Sequence, residues 1–223
     1  MDRGIKIAVL MICLNEERYL DLCLTRIVDY ADSILIAEGA TELAVELGWA
    51  GPEGTSSDRT VEILRSWEQS SAKIGVIEGD GPWKDKPAMY NRLLGELPAD
   101  ITHVHLISPD EIYERVELKI IRGMLEADPD QVLAFQCCHY GPGGCELSGG
   151  ENGVLDHFYH RVFPVRRGDT FPERSIDRLG SGRKIRQVRG IRIQHYGHIN
   201  LDYSRKKWAY YKVRKERWAA AHN

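Results

Sequence analysis

Two carboxylates, Asp110 and Glu111, follow Ser108-Pro109 directly after the apolar residues Val104, Leu106 and Ile107. Hard divalent cations prefer oxygen ligands of this kind. A pair of them at the end of a buried strand sits on the rim where an open α/β sheet binds its ligands. The same residues also make a good helix start, with Ser108 as N-cap, Pro109 at the first helical position and Glu111 three residues after the cap. In that reading a helix opens here with Ile112, Val116 and Ile120 along its apolar side. The segment alone supports both readings. Cys137-Cys138-His139, with Cys145 beyond it, carries zinc-type ligand atoms. Adjacent strand residues point to opposite faces, however, and no paired C-x-x-C follows, so these thiols read as core and loop residues.

The elements that must position such groups can be read from apolar spacing. Ile5–Ile12 is a nearly continuous apolar run, as for a strand buried on both faces. Asn15 then predicts an N-cap, with Glu16 and Glu17 in the first turn of a helix whose stripe is Leu20, Leu24, Ile27 and Val28. Ser33–Ala37 is a second strand, closed by Glu38-Gly39. A loop with a short helix through Thr41–Leu47 runs to the turn signals Gly51-Pro52 and Gly54. Thr55-Ser56-Ser57-Asp58 precedes a helix over Thr60–Gln69, Lys73–Ile77 is a third strand, and Pro87–Leu97 is a third helix. This alternation implies a parallel sheet with crossover helices, an α/β fold.

The second half changes character. Gln131–Tyr140, Tyr159–Val165 and Ile185–Tyr196 read as strands with irregular joins, and Gly141–Gly153 is a Gly-rich connection of the kind that forms a mobile lid. Asp202–Ala221 is a helix in which Tyr203, Trp208, Tyr211 and Trp218 stand among lysines and arginines. It is expected to pack on the body with a basic outer face, which gives a division into 1–199 and 200–223. Asn15-Glu16, Glu38, the segment from Asp80 to Lys86, and Asp110-Glu111 all fall at the ends of successive strands. Each alone is ordinary surface chemistry, but together they outline a ligand rim.

With 223 residues the chain can bury one sizeable core. No apolar run approaches a membrane span and no signal peptide is visible, while five cysteines without disulfide-like spacing suggest a reducing, cytoplasmic compartment. The net charge of −3 conceals an asymmetry: from Tyr159 onward there are 17 Lys/Arg against 5 Asp/Glu, and before it 13 against 28. A basic half on an acidic body calls for an anionic partner: a diphosphate, a polyanionic acceptor, a membrane surface, or the body itself. No nucleic-acid motif is present, and no nucleic acid is expected as a partner.

The order of these motifs resembles the family 2 glycosyltransferases of the GT-A fold. The residues that carry the likeness are Val9–Glu17 with its Asn15-Glu16-Glu17 turn, Glu38-Gly39-Ala40, Thr55–Thr60, Lys86–Arg92 with Asn91, Ser108–Tyr113 in the place of the D-x-D metal motif, and Gln194-His195-Tyr196-Gly197-His198 before a Lys-rich aromatic helix. The resemblance covers Ile5 to about Tyr211. It implies a Rossmann-like, mostly parallel central sheet with crossover helices, extended by mixed strands and closed by a C-terminal helix. It further implies transfer of a sugar, with inversion, from a nucleotide-sugar donor to a glycan, lipid-linked or other hydroxyl acceptor.

By the same resemblance Asn15, Glu16, Glu38, Asp58, Lys86, Asn91, Ser108 and Asp110 face the nucleotide-sugar. Asp110 and His195 would hold Mn2+ or Mg2+, and the general base falls to Glu173, then Asp177, with Glu151 as an outlying candidate. Two departures stand out. Ser108 replaces the first motif aspartate, and Gly39–Gly54 is longer than the usual turn. Two other readings are a glycosyltransferase-like module that has lost its metal and only binds, and a sugar nucleotidyltransferase. Against the latter, the first turn, Cys13-Leu14-Asn15-Glu16-Glu17, is acidic and lacks the glycines of a phosphate-binding loop. A basic aromatic helix at the end also allows peripheral contact with a membrane.

Overall fold

The computed structural model describes residues 4–144, 158–172, 176, 179 and 183–220. In chain order the elements are β1 (Ile7–Cys13), α1 (Leu20–Ile27), β2 (Ser33–Glu38), α2 (Glu42–Glu46), α3 (Thr60–Ser70), β3 (Ile74–Glu78), α4 (Lys86–Gly95), β4 (His103–Leu106), β5 (Glu111–Ile112), α5 (Arg115–Ala127), β6 (Val132–His139), β7 (Phe158–Pro164), β8 (Ile185–His195) and α6 (Leu201–Ala220). The fold is α/β. One eight-stranded sheet runs β3-β2-β1-β4-β7-β6-β8-β5. Strands β3, β2, β1 and β4 are mutually parallel. Strand β7 is antiparallel to both β4 and β6, while β8 is parallel to β6.

The continuous apolar run of β1 is explained by burial on both faces. Ile7, Val9, Met11 and Cys13 join one core with Leu20, Cys23, Leu24 and Ile27 of α1, and Ala8 and Leu10 join the other with Met89, Tyr90 and Leu93 of α4. Fully burying a side chain of this size contributes roughly 1.5–3 kcal/mol. Asp85 caps α4 by accepting from the Ala88 N–H, with Pro87 in the first turn, as that sequence predicts.

Two predicted helix starts are corrected. The residues after Ser108-Pro109 do not open a helix: Glu111–Ile112 pairs as a short strand with Gln194 and His195 of β8. The following helix begins only at Arg115, where Glu114 and Glu117 form a capping box. Its buried stripe is Leu118, Ile121 and Leu125, whereas Val116 is 62% exposed and Ile120 also faces out. Asn15 likewise caps nothing. It holds a left-handed φ of 55°, and α1 starts at Leu20. Neither segment is helical: one is a strand-end loop and the other a turn running into the short β5, which leaves their polar groups available to other parts of the chain.

A buried polar cluster lies under this sheet rim. His105 on β4 sits between the Tyr30 and Tyr113 hydroxyls, at 3.1 and 3.3 Å, and burial holds its imidazole down at about 3. The unfolded chain takes up a proton near pH 6.5 and the native state does not. Stability should therefore decline as pH falls from about 6.5 toward 3. His105→Phe is expected to shrink the difference in melting temperature between pH 7 and pH 4, whatever it does to the absolute value, and calorimetry at the two pH values measures it.

Candidate active site

Because β1, β4, β6 and β8 all run the same way, their C-terminal ends share one rim, and β7, running opposite, brings its first residues to the same place. A cavity of about 430 Å³ opens there. Glu16 lines it from beyond β1, Ser108, Asp110 and Glu111 from beyond β4, His139 from the end of β6, Tyr159 and Arg161 from the start of β7, and His195 from the end of β8. Lys86, at the first position of α4, completes the body's share. The C-terminal helix supplies Tyr203, Lys207, Tyr210, Tyr211 and Arg214. These recur at helical spacing, so α6 presents one continuous face to the site.

Asp110 and His195 converge: His195 Nε2 lies 3.4 Å from Asp110 Oδ2. The same carboxylate oxygen accepts from Lys207 Nζ at 2.7 Å. Burial would raise the Asp110 carboxyl, but His195 and Lys207 outweigh it and hold it well below the ordinary range. Burial would likewise lower the Lys207 ammonium, and Asp110 and Glu16 reverse that. Among the described residues no cation pairs directly with Glu16, which accepts from the Tyr203 hydroxyl at 2.9 Å. Burial and the nearby Asp110 charge push it up to about 8. Gly197 makes the cluster sterically admissible, because a Cβ there would run into Asp110 Oδ2, Lys207 Nζ and the His195 ring.

A second buried pair stands beside the first. Arg161 donates to Glu111 at 2.5 Å, and Glu111 also accepts from the Ser108 N–H. Glu111 holds Arg161 above its usual value against the opposing effect of burial. The Arg161 Nε is buried and makes no hydrogen bond among the described residues. The imidazoles of His139, His195 and His198 gather around the Asp110 end of the cavity. Burial, with His195 next, draws His139 and His198 down to about 4, so both are neutral at pH 7.

The other sequence-derived site residues have different surroundings. Asn15 accepts from the Ser57 N–H and donates to the Trp49 carbonyl. Glu38 accepts from the Ser56 N–H, and Asp58 accepts from the Glu17 and Thr60 N–H groups. These three side chains fasten the long 39–58 loop to the strand ends and are not among those lining the cavity. Asn91 pairs with both backbone groups of Phe171, accepting at 2.7 Å and donating at 3.0 Å, and it does not line the cavity either. Glu151, Glu173 and Asp177 lie outside the described residues, as does the Gly-rich connection beyond Gly144. Ile176, close to the last two, does line the cavity.

Lys207, Arg161, His139, His198 and Tyr203 were not assigned from sequence. The stripe of α6 mixes charged and aromatic residues, so apolar periodicity does not reveal it. Trp208, counted above with the packing aromatics, is 69% exposed, and Tyr210 is the ring buried against Ala40 and Ala44.

No protein-family model matches the sequence, and no curated protein sequence matches it. Among solved structures the chain is similar to S. aureus TarS, with 12% identity over 72% of this chain and 28% of that one and a TM-score of 0.49. It is similar to S. aureus TarS 1-349 in complex with UDP-GlcNAc, with 15% identity, 65% and 38% coverage and a TM-score of 0.47. It is also similar to glucosyl-3-phosphoglycerate synthase from Mycobacterium tuberculosis in complex with Mn2+, UDP and glucosyl-3-phosphoglycerate, with 16% identity, 62% and 45% coverage and a TM-score of 0.44. The chain spans less than half the length of each of these proteins.

The donor set suits a divalent cation. Two ligand atoms bonded at about 2.0–2.2 Å to one ion lie roughly 3–4 Å apart, and the Asp110 oxygen and His195 nitrogen are 3.4 Å apart. The buried Glu111–Arg161 pair underlies this geometry. Glu111→Ala leaves the Arg161 charge buried without its partner and should cost about 3–5 kcal/mol of stability, which equilibrium urea unfolding would measure.

Proposed function

We propose that this protein is a glycosyltransferase that moves a sugar from a nucleotide-sugar donor to a hydroxyl acceptor, with inversion. The observation that carries the reading is the convergence of Asp110, His195 and four cations, Lys86, Arg161, Lys207 and Arg214, on one cavity at the strand-end rim. When a sugar leaves a nucleoside diphosphate, negative charge grows on the diphosphate. Fixed cations in a partly enclosed site stabilise that charge without reorganising. Lys86, held over the Tyr210 and Tyr211 rings, is the cation from the body best suited to a phosphate oxygen. Trp49, Tyr203 and Tyr210 offer aromatic surface against which a base can stack.

Mn2+ or Mg2+ held by Asp110 and His195 would supply Lewis-acid stabilisation of the leaving diphosphate. Inversion needs a base on the acceptor side, and Glu173 is assigned that role ahead of Asp177. In support, Ile176 lies against the cavity and Asn91 anchors the chain at Phe171. The acceptor is a glycan, a lipid-linked species or another hydroxyl compound. No described helix is long and apolar enough to cross a membrane. Peripheral contact through α6 is supported by exposed Trp208 among exposed Arg205, Lys206, Lys212 and Lys215.

One observation favours the second reading, a module that binds and does not transfer: the Lys207 ammonium already rests on the Asp110 oxygen that a cation would use. Titration calorimetry with nucleoside diphosphates, with and without manganese, separates the two. Binding that ignores metal, with no sugar transferred or hydrolysed, identifies the module.

A thermal-shift screen of UDP, GDP, CDP and dTDP sugars with manganese should give a higher melting temperature with one base class, since ligand at 100 times its Kd adds about 2.7 kcal/mol to native stability. No shift with any of them contradicts the assignment. Lys86→Ala should weaken the binding of that donor about tenfold or more, as loss of a charge-assisted hydrogen bond does. In turnover assays either Glu173→Gln or Asp177→Asn should lower kcat by roughly 10²–10⁴-fold with donor affinity kept.

A further inference from the structure

The residue that follows the two core cysteines has an unexpected place. His139 closes β6, and its register partner on β8 is His195. The two imidazoles therefore stand side by side on one face, with their Nδ1 atoms 2.8 Å apart. His198, three residues beyond His195, returns through the Tyr196-Gly197 turn so that its ring centroid lies 5.6 Å from that of His139 and 5.5 Å from that of His195. One ligand nitrogen from each of the three rings falls within 4.8 Å of the other two.

We propose that His139, His195 and His198 together form a three-imidazole site for a first-row transition-metal ion, at the end of the cavity next to Asp110. The inference rests on the cavity of the glycosyltransferase reading but places the ion differently: His195 would bind it through Nδ1, beside His139, and turn Nε2 to Asp110 as an outer contact in place of the Asp110–His195 ligand pair. It does not depend on any sugar being transferred. Three features carry it. The three rings come from two strands and a turn that close sheet pairing fixes in place, so the cluster is part of the fold's framework. Bonds of about 2.1 Å from one ion to two nitrogens 2.8 Å apart enclose about a right angle, within the range that transition ions accept. Finally, Asp110 is engaged by Lys207 at 2.7 Å, which leaves imidazole nitrogen as the main donor type at this end.

Outer contacts of the kind that orient metal-binding histidines are also present. Ser204 Oγ lies 3.0 Å from His198 Nδ1, and the Tyr159 hydroxyl lies 3.5 Å from His139 Nε2. Imidazole favours ions such as zinc, cobalt, nickel or copper over magnesium, which prefers oxygen and keeps its water. An all-oxygen D-x-D site would lack this imidazole bias and would accept magnesium or manganese. Ser108 in that motif and three histidines around the remaining aspartate are two parts of one change in ligand chemistry.

The test is titration calorimetry of the untagged, chelator-treated full chain with Co2+ and, separately, with Mg2+, without nucleotide. One Co2+ per chain is expected, with no matching Mg2+ binding. His139→Ala and His198→Ala should each weaken Co2+ by at least about tenfold. Melting curves without metal report whether each variant folds, and His139→Gln or His198→Gln replaces one that does not. Absence of Co2+ binding overturns the site. So does binding that both substitutions leave unchanged, which would make the His139–His195 contact a hydrogen bond and nothing more. Loss of nucleotide-sugar binding in the thermal screen would refute the transferase reading and leave the Co2+ result intact.

Discussion

Charge matching between the two halves of the chain holds this site together. The acidic first half carries Glu16, Asp110 and Glu111 into the rim, and the basic second half answers with Arg161, His195 and Lys207. Of the anionic partners that the sequence allows for its basic half, the body itself is therefore one. These pairs are buried, so neither side can be removed without stranding its partner, and the desolvation of each is offset only while both are present. Arg217 and Glu46 repeat the theme at the surface, between α6 and α2.

The sheet explains why the match can occur at all. Parallel strands β1 and β4 deliver their carboxylates to one edge, and the reversal at β7 brings Arg161 back to that edge from the other half. A wholly parallel arrangement would start β7 at the opposite side and leave Glu111 without its guanidinium. The short β5 then pairs with the end of β8, so the loop that holds Asp110 is tied by backbone hydrogen bonds beside His195.

Much of this was legible in the sequence. Apolar periodicity located every long strand and helix of the first half, because those elements bury regular stripes. It misplaced the start of α5: Ser108-Pro109-Asp110-Glu111 satisfies the local capping pattern, and tertiary pairing of Glu111–Ile112 with β8 overrides it. The family resemblance led to His195, and the strand-end geography led to Asp110. It could not show that Asn15, Glu38 and Asp58 are taken up by one long loop, since a side chain that binds backbone looks the same in sequence as one that binds ligand. Lys207 was hidden for another reason. It lies on the inward face of a helix whose inward face is not apolar.

Helix α4 has a mechanical consequence of its own. Lys86 stands at its first turn beside the cavity, and Asn91, five residues on, clasps Phe171 through two hydrogen bonds. A helix of this length behaves as a stiff rod, and its two working positions are only about 7.5 Å apart along the axis. The Phe171 backbone is thereby held at a fixed distance from the edge of the cavity that Lys86 lines, so one short helix sets the spacing of both.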